Sequence, residues 1–200
     1  KEYVNNGGGL IASCDTSLFD EIGRQRDGFG LEELFGVKYL KPVDGVGSHP
    51  TLDINWVNII DESYWKERKG IAKVSWGKNE LVNDKVLNEL VALKEVTFKG
   101  LMVKVSEPKN PKDVLVQLTP LDWKEKPLPG VVINKYGKGT VIYMPAGIDE
   151  GYYSYWYPYQ RRLLAKSIEI AGKGNTFPIK VDAPMCVQST YFTQKDTKGE

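Results

Sequence analysis

The chain is poor in the residues that build metal centres and disulfide frameworks. Its 200 residues hold two cysteines, Cys14 and Cys186, and one histidine, His49. That scarcity excludes a Cys/His zinc site and most multi-histidine centres, and no cofactor is expected. Charge of one sign is also missing: 27 Lys+Arg stand against 26 Asp+Glu. A balanced surface argues against a general affinity for nucleic acid or anionic membrane, both of which need clustered positive charge. No apolar run approaches the roughly 18 residues of a membrane span, so a soluble protein is expected, of bacterial cytoplasm or exported. Internal repeats and low-complexity tracts are absent. What is present is ordinary globular content, 41% hydrophobic and 26% charged, with an aromatic excess: 5 Trp, 11 Tyr and 6 Phe, several of them bunched.

Residues 1–6 followed by Gly7-Gly8-Gly9 read as the last turn of a helix running into a glycine cap. Leu10-Ile-Ala-Ser13 is a short apolar run, the signature of a buried strand in a parallel sheet. Residues 15–30 form a long surface loop, 31–35 a helical turn stopped by Gly36, and 37–41 an extended segment. Residues 84–93 carry a helical pattern behind a capping Asp84. The period then falls to two: 96–98, 101–105 and 114–118 read as strands. Residues 131–135 and 140–143 form a hairpin, with Gly137 and Gly139 expected to supply left-handed turn residues. A helix is expected over about 159–171, and 187–192 has a β pattern with no returning strand. This grammar is α/β over 1–174 with an antiparallel insertion, and 176–200 read as the start of a second β module. Both abrupt ends suggest a piece of a longer polypeptide.

The stretches Asn6-Gly-Gly-Gly-Leu-Ile-Ala12, Tyr136-Gly-Lys-Gly-Thr-Val-Ile-Tyr143, and Tyr152-Tyr153 leading to Arg161-Arg-Leu-Leu-Ala165 resemble one family. They are similar to the trimerisation domain of glycoside hydrolase family 42 β-galactosidases and related glycosyl hydrolases. The resemblance implies a class I glutamine-amidotransferase-like fold, a flavodoxin-like parallel sheet with helices on both faces. The domain would here lack its first βα units. It also implies a domain lying between a catalytic barrel and a small β domain. Residues 46–126 match no part of the family. The implied function is non-catalytic: packing against the barrel and building a homo-oligomer, a trimer by analogy. The alternatives are a carbohydrate-binding module of the same fold and an amidotransferase-type enzyme using Cys14.

Against the last, Ser13-Cys14-Asp15 lacks the glycines of a nucleophile elbow, and a neighbouring acid raises a thiol pKa. The favoured reading of Cys14 is a small buried thiol; a disulfide to Cys186 would need export. Glycoside hydrolysis needs paired carboxylates, but Asp15, Asp20, Glu21, Asp149 and Glu150 read as solvated loop acids. Gly7-Gly8-Gly9 precedes a strand and lacks the Lys-Ser/Thr ending of a phosphate loop. The candidate ligand or interface residues are Asp15, Tyr152, Tyr153, Tyr155 and Trp156, since aromatics in succession cannot all enter one core and serve well at interfaces and on sugar rings. The scattered Trp56, Trp65, Trp76 and Trp123 are expected in core packing.

Overall fold

The computed structural model describes residues 1–40, 52–53, 72–76, 101–120, 126–155, 158–172, 181, 183, 187–192 and 194. The helix expected at 84–93, the strand at 96–98 and three of the scattered tryptophans lie outside the described residues. Helix α1 (Glu2–Asn5) ends in a Schellman motif: Gly8 N–H donates to the Tyr3 carbonyl and Gly7 N–H to the Val4 carbonyl, both at 2.9 Å. Gly7 sits at φ 113°, where a side chain would be strained. Strand β1 (Gly9–Ser13) follows, then α2 (Glu32–Phe35), closed by Gly36 at φ 72°. The short strands β2 (Leu52–Asp53) and β4 (Leu101–Met102) pair with each other. The main sheet takes β1 together with β3 (Ala72–Trp76), β5 (Val114–Pro120), β6 (Leu128–Tyr136) and β7 (Gly139–Met144). Helices α3 (Ile148–Tyr155) and α4 (Pro158–Ala171) come after it.

The sheet order is β1-β7-β6-β5-β3. It is mixed and mostly antiparallel: β1 runs parallel to β7, and the other three described pairings are antiparallel. The expectation is a flavodoxin-like parallel sheet with an antiparallel insertion; of its parallel part the described residues hold the β1–β7 pair. The two-residue connection Gly137-Lys138 makes β6 and β7 a hairpin, and a tight hairpin can only be antiparallel. Gly137 has the expected positive φ, 57°. Gly139 is needed for a different reason: a Cβ there would overlap the backbone carbonyls of Val4 and Gly8.

All six residues of β7 are buried, because both faces of the sheet are covered. Val141 and Tyr143 pack on one side with Val132, Leu34, Phe35 and Val4; Ile142 and Met144 pack on the other with Val131, Leu163 and Ile170. This explains the unbroken apolar run of a strand that would alternate were one face wet. Leu115 and Val116 enter the same cluster despite being neighbours, at a point where the β5–β6 register shifts; such a bulge re-aims one side chain. Phe29, Phe35 and Tyr143 form an aromatic nucleus, with Phe35 stacked on Tyr143 at 4.1 Å between centroids and Phe29 edge-on to both. Gly9 lets the strand approach the backbone of Ala171, so the end of α4 rests on the start of β1.

Three further expectations differ from the structure. Of the strand expected over 101–105 only Leu101–Met102 forms. Residues 148–155 are helical, where the sequence places Asp149 and Glu150 in a loop and starts a helix only at about 159. Residues 187–192 carry neither helix nor strand and are exposed, since an alternating pattern becomes a strand only when a neighbour supplies hydrogen bonds.

Candidate functional site

The parallel pair β1–β7 places its carboxyl ends together, which is the edge where open α/β sheets bind ligands. Cys14 extends the ladder by one residue, its N–H donating to the Met144 carbonyl at 2.7 Å. It then turns sharply, at φ 47°, a left-handed conformation uncommon outside glycine. The Tyr143 hydroxyl donates to the Cys14 carbonyl at 2.5 Å. Ser13 Oγ donates to Asp149 Oδ2 at 2.8 Å, tying the end of β1 to the first turn of α3. Asp149 and Glu150 in that turn also suit the helix dipole.

The loop beyond is ordered by its own polar groups. One carboxylate oxygen of Asp20 accepts the backbone N–H of Ile22 and of Arg24, and the other accepts Arg24 Nε. The Arg24 backbone N–H, with the Ile22 N–H and Arg24 side chain added to it, holds the Asp20 carboxyl below its usual range. Arg26 pairs with Glu21 at 3.3 Å. Leu18 is fully buried beneath the loop, while Ile22 at its tip is 70% exposed.

Burial, followed by Asp15 and then Asp149 and Glu150, pushes the Cys14 thiol up to about 12, the reverse of what activates a nucleophile. Cys14 is a free thiol; Cys186 and His49 lie outside the described residues. Of the five loop carboxylates, Asp20, Glu21 and Asp149 are engaged in hydrogen bonds that shape the loop and fix α3. Among the described residues no group of three or more His, Cys, Asp or Glu could hold a metal ion, and no helix is long and apolar enough to cross a membrane.

Of the sequence-derived candidates, Asp15 lies half-buried just after Cys14, and Tyr152 and Tyr153 stand side by side on α3. Their neighbours divide them: Tyr152 is half-buried and Tyr153 is 82% exposed. The side chains of Tyr155 and Trp156 lie outside the described residues. The sequence reading missed the tie between Ser13 and Asp149, which joins positions 136 residues apart. It also missed a cleft at the opposite end of the sheet.

No family model matches the chain, and no curated protein matches it. Solved structures do resemble it. Gan42B, a family 42 β-galactosidase from G. stearothermophilus, superposes with a TM-score of 0.50 at 17% identity, over 84% of this chain and 18% of that one. The β-galactosidase of Bacillus circulans sp. alkalophilus gives 0.49 at 14% identity, over 86% of this chain and 20% of that one. The cold-adapted β-galactosidase of Rahnella sp. R3 gives 0.46 at 14%, over 84% and 20%. The chain thus spans about a fifth of the length of the solved structures it matches, and what it shares with Gan42B at this identity is the fold.

Proposed function

We propose that this chain is a non-catalytic structural domain of a larger glycoside hydrolase, of amidotransferase-like, flavodoxin-like descent, that packs against a catalytic barrel and against neighbouring subunits. The observation that carries the reading is the likeness to Gan42B, which takes in 84% of this chain but 18% of that β-galactosidase. The chemistry at the carboxyl edge agrees with it. Among the described residues the Cys14 thiol is held protonated, and Asp20, Glu21 and Asp149 are spent on loop and helix geometry.

In this reading the working surface includes Tyr153, exposed on α3, and half-buried Tyr152; Asp15, Tyr155 and Trp156 are further candidates from the sequence. Exposed aromatics give large contact area for little lost side-chain entropy, which suits an interface. A stable contact between subunits would bury on the order of 1,600 Å². The test is the solution mass of the chain by light scattering over a wide concentration range, with Tyr153→Ser alongside. A trimer that Tyr153→Ser dissociates is the expected result. A monomer at every concentration would overturn the assembly role.

A further inference from the structure

At the end of the sheet away from Ser13 and Asp149, a cleft of about 660 Å³ opens between α2, the segment leading into β5 and the second half of β6. Its walls are fastened by polar hooks. Asn134 Nδ2 on β6 donates to the carbonyls of Leu34 at 2.8 Å and Glu33 at 3.2 Å, pinning the last turn of α2 to the sheet. Gly36 makes this possible, because a Cβ there would come within 2.8 Å of Asn134 Cγ. On the facing side Lys38 and Ser106 are joined twice: Lys38 N–H donates to Ser106 Oγ at 3.0 Å, and Ser106 N–H to the Lys38 carbonyl at 2.9 Å. Tyr39 bridges Val105 next to them. The cleft is therefore preformed, and its volume lies in the range that holds a small molecule.

Its lining contains four lysines and four carboxylates. Glu33 is paired with Lys1 at 2.7 Å. Glu32, Lys38, Glu107 and Lys109 make no side-chain hydrogen bond or ion pair among the described residues, so their donors and acceptors are available. Along the chain the two signs alternate in the lining: Glu32 and Glu33 are followed by Lys38, and Glu107 by Lys109 two residues on.

We propose that this cleft binds a neutral, hydroxyl-rich ligand, a short oligosaccharide. A phosphate or a polyamine would meet as many repelling charges as attracting ones. A zwitterion needs its two signs separated, and here they alternate. A sugar hydroxyl both donates and accepts, so a ring can give O–H bonds to Glu32 and Glu107 while accepting N–H bonds from Lys38 and Lys109. Bonds to charged partners are about twice as strong as neutral ones. Half-buried Ile133 and the lysine stems offer apolar surface for the ring's C–H face. The proposal does not rest on the assembly role.

The test is a titration of the 200-residue chain with lactose, cellobiose, glycylglycine and inorganic phosphate, following backbone amide shifts by NMR. Expected are saccharide-dependent shifts at Glu32, Lys38, Glu107 and Asn134 that saturate with one Kd of about 1 mM. Glu107→Gln and Lys109→Ala, both on exposed side chains, should each weaken binding by about fivefold, roughly 1 kcal/mol, with the rest of the amide spectrum unchanged. No shift at those amides with either saccharide at about 20 mM would overturn the proposal. So would shifts confined to Tyr152 and Tyr153, saturation by glycylglycine or phosphate in place of the sugars, or variants that bind as tightly as the parent. Light scattering on the same samples separates the two readings, since a monomer that binds sugar in this cleft refutes the assembly role alone.

Discussion

Tyr143, at the penultimate position of β7, hands its hydroxyl proton to the carbonyl of Cys14 at the end of β1. One side chain thereby holds the neighbouring strand at the point where its backbone turns left-handed. The same ring stacks on Phe35, so the aromatic nucleus below the sheet and the loop at its edge share a single residue. Burial, with Cys14 and Asp15 nearby, drives the Tyr143 phenol upward from its ordinary value, which favours the protonated hydroxyl that donates.

Tyr143→Phe keeps the stacked ring and removes only the hydroxyl. A buried carbonyl then loses its partner, at a cost of about 1–2 kcal/mol. For a chain of this length that is roughly 2–8 °C in Tm, read by calorimetry. An unchanged Tm would mean that the hydroxyl is not what stabilises the turn.

Two glycines give a contrast between crowding and conformation. Gly139→Ala drives a methyl into the carbonyls of Val4 and Gly8, which requires the hairpin to leave α1; a loss above about 3 kcal/mol is expected. At Gly23, φ is 80° and nothing lies within 4 Å of the added Cβ. Gly23→Ala should cost only the left-handed penalty, about 1–2 kcal/mol. Urea titrations of the two variants would show whether the order holds.

Gln160 is 1% exposed on α4, and among the described residues neither atom of its amide has a hydrogen-bond partner. A buried amide left unsatisfied is destabilising, and an apolar group of similar shape removes the penalty. Gln160→Leu is expected to raise stability by about 1–3 kcal/mol, seen as a higher urea midpoint at unchanged slope. A lower midpoint would show that the amide is satisfied in solution.

The thiol of Cys14 gives stability a pH dependence. Its folded pKa, about 12, lies above the ordinary 9.0. Between those values the folded state keeps a proton that the unfolded state has released. Stability is therefore complete below about pH 9 and falls as pH rises toward 12, by at most about 1.4 kcal/mol per pH unit. Cys14→Ser should remove this component of the alkaline slope, and iodoacetamide should label native Cys14 far more slowly than the unfolded chain. Equal labelling rates would contradict the burial.

Local chemistry made part of this fold readable. The glycines after residue 6 announced a helix end, and two of them, Gly7 and Gly8, complete the cap. The apolar run at 10–13 announces a buried strand, and β1 forms there but is half-buried except at Ala12; the hairpin pattern at 140–143 does not announce that β7 is covered on both faces, which it is. The hairpin followed from Gly137. Helix α3 was hidden because consecutive tyrosines around Gly151 show no helical period; its first turn is held by Ser13 and by the buried Ile148. The tie from Asn134 to α2 joins positions 100 and 101 residues apart, and nothing at either position signals it. The cleft draws its lining from separate stretches of chain, so it exists only after folding. Gly139 was marked as a turn residue when its task is to let two backbones touch.

Gly9 and Gly139 have a mechanical side. Through them the end of α4 bears on the start of β1, and the β6–β7 hairpin bears on the last turn of α1, in both cases backbone against backbone. The side-chain atoms beside these contacts are short and stiff, the Val4 Cγ1 methyl at Gly139 and the Ala171 Cβ at Gly9. A tilt imposed on α1 has to pass into the sheet and from there to α4, so this corner works as a stiff linkage that transmits strain undamped.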